Sequence, residues 1–180
     1  MKYLAISVLA LTVLASSASA QAPLGPGAWR VEATTSALTD EKDVVASLNS
    51  DSLLVNTIDL PEAAALIVRC KEGALAVYVA WPQVIKQNYD ATILSPPETN
   101  AYFRLDDGKV ALDFWEISED QTGAGRFSTK KAAKLLGLLA GAHKLVVRLS
   151  SPTDETQDAI FHLDGLDQIA PQVLQACGVK

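Results

Sequence analysis

The residues with the most suggestive chemistry lie at 121–131, QTGAGRFSTKK. Gly123 and Gly125 precede Arg126, Ser128, Thr129, Lys130 and Lys131, with Lys134 about one helical turn on. A nucleotide-binding P-loop needs G-x-x-x-x-G-K-[ST], so that backbone N–H groups cradle phosphates and the hydroxyl reaches Mg²⁺. Here one residue separates the glycines and Arg126 follows them, which does not fit. Weaker anion binding remains open, because a helix N-terminus carries about half a positive charge and free N–H donors. Arg126, Ser128, Thr129, Lys130, Lys131 and Lys134 are therefore the candidate anion- or partner-binding residues. Lysines in a first turn oppose the helix dipole, and a cost without visible benefit hints at a use. Their partner would be acidic, or would carry the carboxylates of peptidoglycan peptides. The plainer interpretation is that Ser128 or Thr129 caps a helix whose lysines face solvent.

Other groups are less suited to catalysis. Asp113, Glu116, Glu119 and Asp120 surround Trp115, and a glycosidase could use paired carboxylates beside an aromatic ring. Strand parity, however, sends Asp113 and Glu116 to opposite faces, and Glu119 and Asp120 fall in a turn. His143 and His162 could each be drawn into a set with serine and aspartate, but no G-x-S-x-G elbow is present. His143 follows a helix stop, and His162 alternates out of phase with Phe161 and Leu163, so both read as structural. Trp29, Trp81 and Trp115 read as packing residues. Two histidines and two cysteines are too few for a zinc site with sensible spacing, so neither metal nor cofactor is expected.

The elements that must position these residues are mostly strands. Residues 29–33 alternate, and 43–49 form a short strand-like run. LIVRC at 66–70 and LAVYVAW at 75–81 flank Lys71-Glu72-Gly73, which predicts a hairpin. Residues 101–105 and 109–117 flank Asp106-Asp107-Gly108, a second hairpin whose Asp-Gly supplies positive φ. QTGAGRF reads as a loop. Ala132, Leu135, Leu136 and Leu139 then make one apolar helix stripe within 128–140. Strands at 144–150 and 156–163 follow, the latter with Ala159, Phe161 and Leu163 on one face. A last helix begins near Leu166 with Pro171 early in it. The expected fold class is α+β: a mostly antiparallel β domain, hairpin-built and sandwich-like, with two helices in the C-terminal half.

The chain has 180 residues, enough for one domain with a core. Residues 1–20 have the form of a secretory signal peptide: Lys2, an apolar stretch from Leu4 to Ala15, and Ala18-Ser19-Ala20 before the expected cleavage after Ala20. Residues 21–28 read as a flexible leader and 29–180 as a single domain. No later run is apolar enough to span a membrane. Without Lys2 the chain has 14 basic and 21 acidic residues, a net charge of −7, which argues against nucleic-acid partners. Export to the periplasm or beyond makes a Cys70–Cys177 disulfide the simplest use of the two cysteines.

Several fragments recur in a recognisable order: Trp29; SALTDEKDVVASLNS at 36–50; LIVRC and VYVAW; FRLDDG at 103–108; FWEISED at 114–120; LVVRLSSPTDETQDAIFHLDGLDQI at 145–169; and QACG at 175–178. Together they resemble the VasI family of type VI secretion-associated proteins over nearly the whole mature chain. Val179-Lys180 stand where that family usually has an aromatic residue. The resemblance implies an exported accessory protein and supplies no catalytic residue. The expected function is a non-catalytic envelope module binding an envelope protein or peptidoglycan. The alternative is a cell-wall-active enzyme or an inhibitor of a cell-wall hydrolase.

Overall fold

A computed structural model describes residues 28–35, 37, 41–88 and 96–179. The proposed signal peptide and nearly all of the leader lie outside the described residues. Among the described residues nine strands and two helices follow in chain order: β1 (Arg30–Thr35), β2 (Lys42–Val55), β3 (Pro61–Lys71), β4 (Ala74–Ala80), β5 (Glu98–Leu105), β6 (Ala111–Ile117), β7 (Gly123–Arg126), α1 (Thr129–Leu139), β8 (Lys144–Ser150), β9 (Thr156–His162) and α2 (Leu166–Ala176). All strands pair antiparallel in one sheet, in the order β1-β2-β3-β4-β7-β6-β5-β8-β9. The expected mostly antiparallel α+β domain is the observed one.

Alternation decides which side chains enter the core. In β2 and β3, Ala46, Leu48, Leu66, Val68 and Cys70 point inward and are buried, as period-two patterning requires. The stripe Ala132, Leu135, Leu136 and Leu139 buries α1 against β4 and β7, while Leu166, Ala170 and Val173 bury α2 against β2 and β3. Trp115 is 2% exposed and packs on Phe103, with ring centroids 6.0 Å apart; its indole N–H has no hydrogen-bond partner among the described residues. Cys70 and Cys177 form a disulfide with Cα atoms 5.5 Å apart, tying the end of α2 to β3.

The β3–β4 hairpin turns through Glu72 (φ 51°) and Gly73 (φ 71°), two consecutive left-handed residues as a tight type I′ turn needs. In the β5–β6 hairpin the left-handed residue is Asp106 (φ 49°), and not Gly108. Asp106 is held there by its own carboxylate, which accepts the N–H groups of His143 and Lys144, each at 2.9 Å.

The stretch read as a glycine loop is different in the structure. Gly123–Arg126 is strand β7, inserted between β4 and β6. A Cβ on Gly125 would lie 2.3 Å from the Val77 carbonyl oxygen and 2.4 Å from Tyr78 Cα. Glycine is therefore the residue that lets β4 and β7 approach. Because glycine is a weak strand former, no local pattern marks this segment as a strand.

The sheet curls until its last strand meets its second. Between Asn49 and Leu53 the β2–β3 register shifts, and the Ser50 hydroxyl accepts the Ala64 N–H at 3.0 Å across the gap. This bulge, by the bending such insertions cause, coincides with the point where β2 turns to β9. Ser52 Oγ accepts the Ile160 N–H (3.0 Å) and donates to the Asp158 carbonyl (2.9 Å). The Gln157 carboxamide accepts from Val55 N at 2.6 Å and donates to Val55 O at 3.1 Å. Side chains thus do at this seam what backbone ladders do elsewhere.

Candidate functional site

The register aligns Tyr78 of β4, Gly125 of β7 and Glu116 of β6 in one row across the sheet. Glu116 is buried, 7% exposed. Its carboxylate accepts the Phe127 N–H at 3.3 Å and the Lys131 ammonium at 2.6 Å. A buried carboxylate needs such partners, since an unpaired one would neutralise or leave the interior. Glu116 also places negative charge beside the start of α1, where the helix dipole favours it.

This ion pair separates two concavities. One, about 330 Å³, is lined by Arg126, Lys131 and Lys134 with Asp113, Leu135 and Leu138. The other, about 710 Å³, is lined by Glu116 together with Arg69, Tyr78, Asp120, Thr122 and Phe127. The Tyr78 and Phe127 rings pack with centroids 5.2 Å apart, and the Arg69 guanidinium lies 5.3 Å from the Tyr78 centroid. The far wall is the turn joining β6 to β7. There Asp120 accepts hydrogen bonds from the Ser118 hydroxyl and the Thr122 N–H, which hold its carboxyl below the ordinary carboxylate range.

The six basic and hydroxyl candidates are divided by the structure. Arg126 is engaged by the Asp113 carboxylate and donates to the Phe114 carbonyl at 2.7 Å. Lys131 belongs to Glu116. Lys130 and Lys134 are exposed and have no ion pair among the described residues. Ser128 occupies the N-cap position without a side-chain capping bond, although its carbonyl accepts from Ala132 N at 2.8 Å. The Thr129 hydroxyl instead accepts the Leu75 N–H at 3.2 Å, tying α1 to β4. Neither hydroxyl caps α1. Arg126, Lys131 and Lys134 share the smaller crevice.

Three of the carboxylates around Trp115, Glu116, Glu119 and Asp120, line the larger cavity, while Asp113 lines the smaller one. Asp113 pairs with Arg126, Glu116 with Lys131, and Glu119 and Asp120 lie in the β6–β7 turn. His143 Nδ1 meets Asp164 Oδ1 at 2.9 Å, and His162 Nε2 meets Asp51 Oδ2 at 2.9 Å. No group of three or more potential metal ligands occurs among the described residues. Arg69, Tyr78 and Phe127 were not singled out in the sequence, where each sits in an apolar strand-like run or beside the glycines. Parity places Arg69 and Tyr78 outward, but the cavity emerges only once β7 lies beside β4.

No family model and no curated protein matches the chain. A solved structure, invasion associated protein B from Bartonella henselae, is similar in fold: TM-score 0.50 and 12% identity, over 84% of this chain and 94% of that one.

Proposed function

We propose that the protein is an exported, non-catalytic binding module of the cell envelope. The observation that carries this reading is the pair of open concavities flanking the Glu116–Lys131 ion pair. Both are lined by charged side chains, the smaller from β6, β7 and α1, the larger from β3, β6 and the β6–β7 turn, and positions on packed strands and a helix favour precise recognition. Of the charged groups there, Glu116 pairs with Lys131, Arg126 pairs with Asp113, and Asp120 is held by the Ser118 hydroxyl and the Thr122 N–H. The disulfide is compatible with an oxidising compartment. Among the described residues no helix is long and apolar enough to cross a membrane. An invasion-associated protein of similar fold is a second support for an exported accessory role.

In this reading the smaller crevice and the exposed Lys130 and Lys134 receive carboxylates of an acidic envelope protein or of peptidoglycan peptides. Retention of tagged mature protein on isolated cell walls and envelope extracts tests it. Lys130→Glu with Lys134→Glu should weaken retention strongly while leaving the Glu116–Lys131 pair intact; unchanged retention would sink the assignment of this surface. Clear lytic bands on peptidoglycan zymography would instead establish the alternative, a cell-wall-active enzyme. A role in type VI secretion rests on the resemblance to VasI proteins. Deleting the gene and measuring export of a type VI substrate tests that role, and unaltered export counts against it.

A further inference from the structure

The larger cavity contains charges that the fold itself leaves unpaired. Its floor depends on Gly123, where a Cβ would lie 2.8 Å from Ser118 Oγ and 3.2 Å from Tyr78 Cδ2. Any side chain there would fill the space between the aromatic wall and the turn. On one side, the Arg69 guanidinium is positioned over Tyr78 and makes no ion pair among the described residues. On the other, Glu119 and Asp120 have no cationic partner among the described residues. Asp120 is oriented by the Ser118 hydroxyl and the Thr122 N–H. Glu116, by contrast, is already matched by Lys131. The open charges of the cavity are therefore one cation and two anions, set around apolar rings.

A simple anion would suit Arg69 and be repelled by Glu119 and Asp120. A simple cation would suit the carboxylates and be repelled by Arg69. A flat sugar face would find Tyr78 already occupied by the guanidinium. A ligand with both charges meets every group, since guanidinium recognises carboxylate through paired N–H donors and carboxylates recognise ammonium. About 710 Å³ is in the range of small-molecule sites and exceeds what a single amino acid needs. We infer that this cavity binds the zwitterionic end of a short peptide, its terminal carboxylate on Arg69 and an ammonium group on Asp120 and Glu119. This deepens the binding-module reading by naming a ligand class for its larger cavity.

The test is an NMR titration of the isotope-labelled mature protein with the dipeptide lysyl-alanine, its C-terminal amide, its fully N-acetylated form and a trimer of N-acetylglucosamine. Lysyl-alanine should shift the backbone amides of Tyr78, Thr122, Gly123 and Phe127. The amide and acetylated forms should bind at least about tenfold more weakly, a difference of about 1.4 kcal/mol. Arg69→Gln should cause a similar loss for lysyl-alanine. Asp120 also braces its own turn, so Glu119→Gln is the companion to Asp120→Asn, and both should weaken binding. Equal binding of the amide, response to the sugar alone, or no shift at about 10 mM dipeptide, where millimolar Kd values would register, overturns the inference. Retention on envelope material that persists when the dipeptide fails to bind sinks this inference and leaves the module reading standing. Loss of retention in the lysine variants with dipeptide binding intact assigns the two ligands to separate surfaces and supports it.

Discussion

At the scale of single residues, charge is organised by local hydrogen bonds more than by its distribution in the sequence. Asp106 accepts two backbone N–H groups, from Lys144 and His143, and its carboxyl is held below the ordinary value of 3.8 by them. His143 is held above 6.5, chiefly by its hydrogen bond to Asp164 and then by the charges of Asp164 and Asp106. The signs differ. For Asp106 the folded value is depressed, so its stabilising contribution is complete above the unfolded value and disappears as pH falls through the folded one. For His143 the folded value is raised, so its contribution is complete below 6.5 and disappears as pH rises through the higher folded value. NMR titration should place the Asp106 midpoint below 3.8 and the His143 midpoint above 6.5. Asp164→Asn should return His143 toward its ordinary value; an unmoved His143 midpoint would contradict the pairing. His143 is exposed and Asp106 half-buried at one end of the β5–β6 hairpin, so the effect on global stability should be small.

At the scale of elements, two glycines close together in the chain have opposite roles. Gly125 lies where β4 and β7 touch, with backbone atoms of Val77 and Tyr78 inside the space a Cβ would need. Gly125→Ala should force the strands apart and cost about 3 kcal/mol. Gly137 lies within α1, exposed, with nothing within 4 Å of its added Cβ. Gly137→Ala should stabilise the protein by about 0.5–1 kcal/mol, because alanine favours helix and restricts the unfolded chain. Urea denaturation of the two variants checks both signs at once; a tolerated Gly125→Ala would mean that β7 is not packed against β4 as described. Hairpin arms and the face of α1 were legible in sequence because each depends on neighbours a few residues away. The stripe from Ala132 to Leu139 and the inward set Ala159, Phe161 and Leu163 are buried as their periodicity demands. The strand nature of Gly123–Arg126 was not legible, since its side chains are too small to declare a face.

At the scale of the whole molecule, the chain is held at two distant places. Ser52 and Gln157 join β2 to β9 through side-chain bonds, and Cys70–Cys177 joins β3 to the end of α2. The disulfide spans 107 residues of sequence, and loop-closure entropy for that length is about 4–5 kcal/mol. Cys70→Ala with Cys177→Ala should lower unfolding stability by about 2–5 kcal/mol and shift the urea midpoint accordingly. A change below about 1 kcal/mol would show that the bridge adds little to what the packing of α2 provides.

By itself the sequence determined the α+β class, both well-marked hairpins, the buried face of α1 and the identity of the cysteine pair. These follow from periodicity, turn chemistry and the presence of two cysteines, all properties of near neighbours or of composition. Only the tertiary structure decided that the glycine segment is a strand, that β9 returns to β2, and that Arg69, Tyr78, Asp120 and Phe127 surround one cavity. Strand order and cavity walls depend on contacts between segments far apart in the chain, and the register of those contacts is not contained in any local pattern. The basic stretch that first suggested an anion site therefore has a changed meaning. Glu116 lies at the start of α1 and holds Lys131, and the larger opening for a ligand lies on the other side of that pair.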